Sequence, residues 1–232
     1  MANEPAPPTP GARPPGPLVE IEVGDDAVDW ESLGFAVDDA VATVGTVRLR
    51  FAGSDDKRGR GIVGWTLRGG GAPTGDVDGL PTAYAVAGSD DAGGEPPSGA
   101  RHPNGVTHID HIVVMTPDLD RTTAALATVG LEARRTREAG TGRLQRFFRL
   151  GEVILELVGP AAPAGDAPAS FWGLAFTVAD IDATASHLAG RIGEPRDAVQ
   201  QGRHIATVRT GDEVSVPIAL MSAADGRDRP AR

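Results

Sequence analysis

The sequence predicts an α+β fold of paired βαβββ modules whose curved mixed sheets enclose a cleft, with an additional N-terminal βαβββ-like module. Three observations predict it. A strand, a capped helix, a glycine stop and late strands follow one another between Thr107 and Pro160. The same succession recurs about sixty residues later: Asp118-Leu119-Asp120 returns as Asp180-Ile181-Asp182, and Arg149-Leu150-Gly151-Glu152 as Arg209-Thr210-Gly211-Asp212. A fainter copy precedes both between Leu18 and Arg68. Repetition of one supersecondary unit means that neighbouring copies bury a face none could bury alone.

The order of elements follows. Residues 1–17 are proline-rich and read as a disordered tail. Leu18-Val19-Glu20-Ile21-Glu22-Val23 alternates as a half-buried strand does. Asp25 and Asp26 offer N-cap chemistry for a short helix through Trp30 and Leu33, ended by Gly34. Phe35-Ala36-Val37, Thr46 to Phe51 and Ile62 to Leu67 read as three further strands, the last two joined by a polar turn from Gly53 to Gly59. Residues 18–68 thus form a partial βαβββ-like module. Residues 69–105 have Gly/Pro-rich linker composition, although Leu80 to Val86 could dock as an irregular strand.

The first full module spans 106–160. Ile109 to Thr116 is its opening strand. Asp118 caps a helix carrying Asp120 in its first turn, with Leu119, Thr122, Leu126 and Val129 near helical spacing and Gly130 as the stop. Leu131–Arg137, Leu144–Leu150 and Glu152–Val158 complete it as strands. The second full module spans 161–221, with Phe171–Val178 as first strand, a helix opened by Asp180, and later strands at Arg203–Arg209 and Val214–Met221. Residues 222–232 form a polar tail.

Composition narrows the function. A chain of 232 residues with 40% hydrophobic residues can bury a sizeable core, mostly aliphatic because aromatics are only 4%. A net charge of −10 disfavours nucleic acid and anionic membrane surfaces as partners. No run of 18 apolar residues exists, so no transmembrane helix is expected. The absence of cysteine removes disulfides, thiolate metal sites and a cysteine nucleophile, and fits a reducing compartment. With no apolar signal segment at the start, the expected location is the cytoplasm.

The strand His108-Ile109-Asp110-His111-Ile112-Val113-Val114, then Pro117-Asp118-Leu119-Asp120 and an Ala-rich helix to Val129-Gly130-Leu131, resembles the opening of a glyoxalase/bleomycin-resistance/extradiol-dioxygenase module, the vicinal oxygen chelate superfamily. Glu156 in Ile154-Leu155-Glu156-Leu157 stands where such a module's last strand carries its carboxylate ligand. The resemblance implies a divalent metal (Fe, Mn, Zn or Ni) held by His111 and Glu156, with further ligands from the partner module, and Glu156 as a catalytic residue of a lyase, isomerase or dioxygenase. Strand periodicity adds that Ile109, His111, Val113 and Met115 share one face, as do Ile154, Glu156 and Val158, while His108 has the opposite parity.

The second module departs from the pattern. An offset of 62 sets Gly173 opposite His111. Two registers set either Val216 or Ala219 opposite Glu156. In the N-terminal copy, aligning Asp25 with Asp118 sets Leu18 opposite His111 and Trp65 or Thr66 near Glu156. None of these is a ligand, whereas a catalytic metal normally takes three protein ligands. Two accounts of the pair therefore stay open: a metal site completed by water, by His102 or by another chain, or a buried polar pair in a metal-free cleft. The second fits a small-molecule binding protein of the bleomycin-resistance type; a vestigial cleft in a structural or regulatory protein is a third reading.

Other candidates carry less. Phe147, Phe148, Phe171, Trp172 and Phe176 could wall the cleft or pack the core. Arg134, Arg135, Arg146 and Arg149 could meet an anionic substrate or protect an edge strand. His187 and His204 read as surface residues. Gly69-Gly70-Gly71 lacks phosphate-loop spacing. Residues 18–68 could pack on their own chain or pair with a second copy in a homodimer.

Overall fold

Capped helices and left-handed glycines set the boundaries of the elements. The computed structural model describes residues 18–53, 59–68, 75–85, 101–140 and 142–223. The expected tail at 1–17, the tip of the Gly53–Gly59 turn, Gly69 to Gly71 and most of the tail at 222–232 lie outside the described residues. The first half comprises β1 (Leu18–Val23), α1 (Ala27–Ser32), β2 (Val41–Val44), β3 (Val47–Phe51), β4 (Ile62–Arg68), β5 (Gly75–Val77) and β6 (Leu80–Ala85). The second half comprises β7 (Val106–Met115), α2 (Leu119–Thr128), β8 (Ala133–Glu138), β9 (Arg143–Leu150), β10 (Val153–Pro160), β11 (Ser170–Val178), α3 (Ile181–His187), β12 (Arg196–Asp197), β13 (His204–Thr207) and β14 (Ile218–Ser222).

The expected caps form in the second half. Asp118 accepts from the backbone N–H groups of Asp120 and Arg121, both at 3.0 Å, and Asp180 does the same for Asp182 and Ala183. Each carboxylate satisfies orphan donors of a first helical turn and complements its dipole. Gly130, φ +78°, turns the chain after α2. Leu119, Thr122 and Leu126 are the buried stripe of α2.

The second-half sheet has the order β12-β13-β14-β11-β7-β10-β9-β8. Within each module the first and last strands are parallel, β7 with β10 and β11 with β14. The two modules join through the antiparallel pair β7–β11. This is the paired α+β architecture expected.

The first-half sheet has the order β2-β3-β1-β4-β6-β5 and repeats that topology in shortened form. β1 runs parallel to β3, β1 pairs antiparallel with β4, and β4 runs parallel to β6. β3, not β4, is therefore the counterpart of β10. Two strands, β5 and β6, lie inside 69–105, the stretch expected as linker. The expected strand at Phe35–Val37 is not one; β2 instead follows a tight bridge between Asp38 and Val41. Phe35 goes into the core, its ring 5.1 Å from Trp30 and 5.2 Å from Phe176.

The halves pack on each other within one chain. Trp30 and Phe35 of the first meet Phe176 of β11, and Trp65 meets Phe171 edge-on at 5.2 Å. Polar ties cross the same seam. Asp78 accepts from Arg121 Nε at 2.9 Å and from Thr122 Oγ1 at 2.5 Å. Asp25 caps nothing: Asp26 is the N-cap residue of α1, and Asp25 is buried, accepting from Trp30 Nε1 at 3.2 Å, the Ser215 backbone N–H at 3.0 Å and the Ser215 hydroxyl.

His102 ties the segment between the halves to the first sheet. Its Nδ1 accepts from the Ala36 N–H at 3.0 Å and its Nε2 lies 3.0 Å from the Thr43 carbonyl, so the neutral Nε2–H tautomer serves both. Burial, outweighing the Thr43 contact, holds its pKa below the ordinary histidine value. A lowered histidine pKa means that stability is complete above the unfolded value, about 6.5, and is lost as pH falls below it. Unfolding midpoints across neutral to mildly acidic pH should show a loss of up to about 1.4 kcal/mol per pH unit, and His102→Gln should remove that slope.

Candidate functional site

The open face of the second-half sheet holds a cleft of about 490 Å³. That is within the usual range for a small-molecule site. His111, Val113 and Met115 of β7 line it, with Glu156 and Val158 of β10 beside them. The opposite wall is Trp172, Leu174 and Ala175 of β11, Ile205 and Thr207 of β13, and Pro217 to Ala219 at β14. His111 and Glu156 thus project from one wall, with His111 Nε2 3.9 Å from Glu156 Oε2.

Ile109 does not share their face. In the β7–β11 ladder His111 pairs with Ala175 and Ile109 with the next residue, Phe176, so Asp110 is an extra residue in β7. This bulge reverses the alternation: Ile109 is fully buried in the core with Ile112 and Val114. Asp110 and His111 then lie together, and His111 Nδ1 donates to Asp110 Oδ1 at 2.9 Å. Asp110 Oδ2 also receives Arg203 Nη1 at 2.7 Å and Thr177 Oγ1 at 3.3 Å. Burial pushes the Asp110 carboxyl up, but the hydrogen bonds from His111 and Arg203 and the guanidinium charge outweigh it and lower the pKa to about 2. An ionised Asp110 fixes the proton of His111 on Nδ1 and leaves Nε2 to face Glu156.

Glu156 is held from its other side. Gln145 Nε2 donates to Glu156 Oε1 at 2.5 Å, and Arg137 donates to Gln145 Oε1, from Nε at 3.0 Å. A chain of polar contacts thus crosses the wall from Arg137 through Gln145, Glu156, His111 and Asp110 to Arg203. Asp110, Gln145 and Arg203 escaped the sequence reading. Asp110 had the wrong parity without the bulge; Arg203 approaches from the turn before β13 and Gln145 from across a hairpin.

The strand ladders select one of the two registers considered for the second module. Glu156 pairs with Val113 and Ala219 with Ala175, so the helix-cap offset of 62 makes Ala219 the counterpart of Glu156. Gly173 is the counterpart of His111. A Cβ there would lie 2.6 Å from the Pro217 carbonyl oxygen, closer than atoms approach. The first half has a looser counterpart, Gly64 beside Pro81, where a Cβ would lie 3.4 Å from the proline carbonyl oxygen and would fit. Counting from that pair through the ladders puts Glu20 at the His111 position and Arg50 at the Glu156 position, not Leu18 and Trp65 or Thr66. Glu20 there accepts two hydrogen bonds from Arg50 and one from Arg48, each 3.0 Å.

The donor set does not fit a metal centre built by this chain. Among the described residues no three His, Asp or Glu side chains are placed to hold one metal ion, since Asp110 occupies the far nitrogen of His111, whereas catalytic centres take about three protein ligands. His102 cannot complete the pair, because both its ring nitrogens are engaged beside the first sheet. Of the aromatic candidates, Trp172 lines the cleft, while Phe148 and Phe176 are buried in the core and Phe171 packs on Trp65. His187 and His204 are exposed.

A family model for the Glyoxalase/Bleomycin resistance protein/Dioxygenase superfamily matches residues 108–206. The match to that superfamily covers somewhat less than half of the chain. The matched superfamily segment contains His111 and Glu156 and ends within β13. Methylmalonyl-CoA epimerase from Mycobacterium tuberculosis is a similar solved structure, 20% identical, with a TM-score of 0.43 over 52% of this chain and 91% of that one. A Streptomyces coelicolor methylmalonyl-CoA epimerase variant in complex with 2-nitronate-propionyl-CoA is 27% identical, with a TM-score of 0.41 over 52% and 99%. No curated protein matches. No helix among the described residues is long and apolar enough to cross a membrane.

Two outcomes follow from the geometry. Gly173→Ala should lower stability by roughly 1–3 kcal/mol, read as a fall in urea midpoint, because Pro217 leaves no room for a Cβ. The depressed Asp110 pKa stabilises the fold above the unfolded value of 3.8, and that contribution disappears as pH falls through about 2. Asp110→Asn should therefore cost on the order of 2 kcal/mol at neutral pH and progressively less in acid, as followed by denaturant titration at stepped pH.

Proposed function

We propose that the cleft binds one small, largely apolar molecule without a resident metal held by this chain, as a small-molecule binding protein of the bleomycin-resistance type. The observation that carries this is the asymmetry of the cleft. One wall presents the held pair His111 and Glu156; on the facing wall Ala219 stands at the position matching Glu156, and Gly173, at the position matching His111, has no side chain to present. Apolar side chains of Val113, Met115, Val158, Trp172, Leu174, Ile205 and Ile218 make up most of the remaining surface. Such a lining favours an apolar body, and a few convergent polar groups orient it. His111 Nε2 accepts from a ligand donor, or donates when protonated; Glu156 accepts through Oε2, which Gln145 leaves to the cleft. Gln145 and Asp110 hold the pair in place, so a ligand meets an ordered wall.

A second reading has one observation in its favour. Asp110 orients His111 as carboxylates orient metal-bound imidazoles, and the 3.9 Å between Nε2 and Oε2 leaves both groups facing one space. A two-ligand site completed by water or by adjacent oxygens of a substrate would supply Lewis-acid chemistry of the lyase, isomerase or dioxygenase kind.

One titration separates the two. Dialysed protein should contain no stoichiometric Fe, Mn, Ni or Zn, and adding each should leave the melting temperature unchanged. A rise saturating at one equivalent, abolished by His111→Ala, would overturn the metal-free reading in favour of the second.

A further inference from the structure

The cleft has a second polar region that the His111–Glu156 pair does not explain. Strands β8 and β9 carry Arg134, Arg135, Arg137, Arg143, Arg146 and Arg149, against the single acid Glu138, in a chain of net charge −10. Edge protection requires charge but not one sign. The structure sorts these arginines. Arg146 turns to the helix side, binding the Leu119 carbonyl, Thr123 and Asp120. Arg143 lines the cleft. Arg135 belongs to the cross-strand row Arg135–Phe147–Glu156–Val113, and Arg137 to the row Arg137–Gln145–Val158–Met115. Residues in one row share a face, and Glu156, Val113, Val158 and Met115 line the cleft. The guanidinium of Arg135 stacks 4.6 Å above the Phe147 ring, and that of Arg137 lies 5.6 Å from it. Among the described residues, neither Arg135 nor Arg143 has a carboxylate partner.

We propose that this lip is an oxyanion subsite and that the ligand is an amphipathic acid, its apolar body against Trp172, Met115 and Ile205 and its carboxylate or phosphate head on Arg143 and Arg135. The proposal rests on the cleft being a small-molecule site and names the class of molecule. The Phe147 ring beneath the Arg135 guanidinium restrains it by a cation–π contact, and a restrained guanidinium suits paired contacts to an oxyanion. Arg137 is committed to Gln145 and adds charge more than contacts. Glu156 opposes this charge, but Gln145 already donates to it and His111 separates it from Asp110. The head therefore sits at the β8–β9 lip, with Glu156 turned toward His111.

Two fluorescent probes with the same aromatic body test this. 8-Anilinonaphthalene-1-sulfonate carries an oxyanion and N-phenyl-1-naphthylamine does not. The folded full-length protein should bind the sulfonate at least about tenfold more tightly, or about 1.4 kcal/mol, and added salt should shrink the difference. The double variant Arg135→Gln, Arg143→Gln should bring the two probes level by weakening the sulfonate selectively; Arg101→Gln, which does not line the cleft, should keep the preference. Trp172→Ala should weaken both probes. Equal affinities in the parent protein, or a preference that survives the double variant and salt, would overturn the oxyanion subsite and leave the cleft intact. Binding of neither probe, or of both without sensitivity to Trp172→Ala, would remove the cleft reading itself.

Discussion

The extra residue Asp110 in β7 controls what the cleft can do, because it breaks the alternation of the central strand at the point where β7 crosses β11. A regular strand would carry Ile109 and His111 on one face and send Asp110 to the other. The bulge instead buries Ile109 and places a carboxylate beside the imidazole it orients. Arg203 and Thr177 then hold that carboxylate charged at the edge of an apolar core, where an unpaired charge would be costly. The orientation of His111 toward Glu156 follows from that arrangement.

Duplication explains the remainder of the architecture. Each half pairs two units across an antiparallel central ladder, and each contains a glycine packed against a proline of the neighbouring strand. In the second half the approach of Pro217 leaves no room for a Cβ at Gly173, so the glycine occupies a position where another module would carry a side chain into the cleft. In the second half this leaves His111 and Glu156 without counterparts. In the first half the two positions are filled by Glu20 and Arg50, which bind each other. One supersecondary plan has thus given a self-paired polar sheet in the first half and an open, mostly apolar trough in the second. Both stand on the shared core of Trp30, Phe35, Trp65, Phe171 and Phe176.

Much of the second half was legible because its signals are local. Asp118 and Asp180 announce helix starts, Gly130 a stop, and the aliphatic runs of β7, β10 and β11 their strands. The first half was less so. β5 has three residues and β6 contains Pro81, so neither carries a usable alternation, and both sit in glycine-rich sequence that reads as linker. Asp25 and Asp26 are equivalent as caps on paper; the buried Ser215 contact that claims Asp25 comes from 190 positions away. In the site, His111 and Glu156 were readable from the family pattern and the period of their strands. Asp110, Gln145 and Arg203 were not, since a bulge and cross-strand partners leave no mark in a single strand's periodicity. The arginines of β8 and β9 were visible as residues, but their sorting into cleft and helix faces needed the ladder register.

The most direct test of this account is the protonation of the His111 ring, read from the nitrogen chemical shifts of the labelled imidazole in the folded protein. An ionised Asp110 at 2.9 Å predicts a protonated Nδ1 at neutral pH, with the shift perturbed in Asp110→Asn. A His111 ring whose Nδ1 is bare and whose Nε2 alone carries the proton would contradict it, because the bulge would then not be orienting the imidazole toward Glu156.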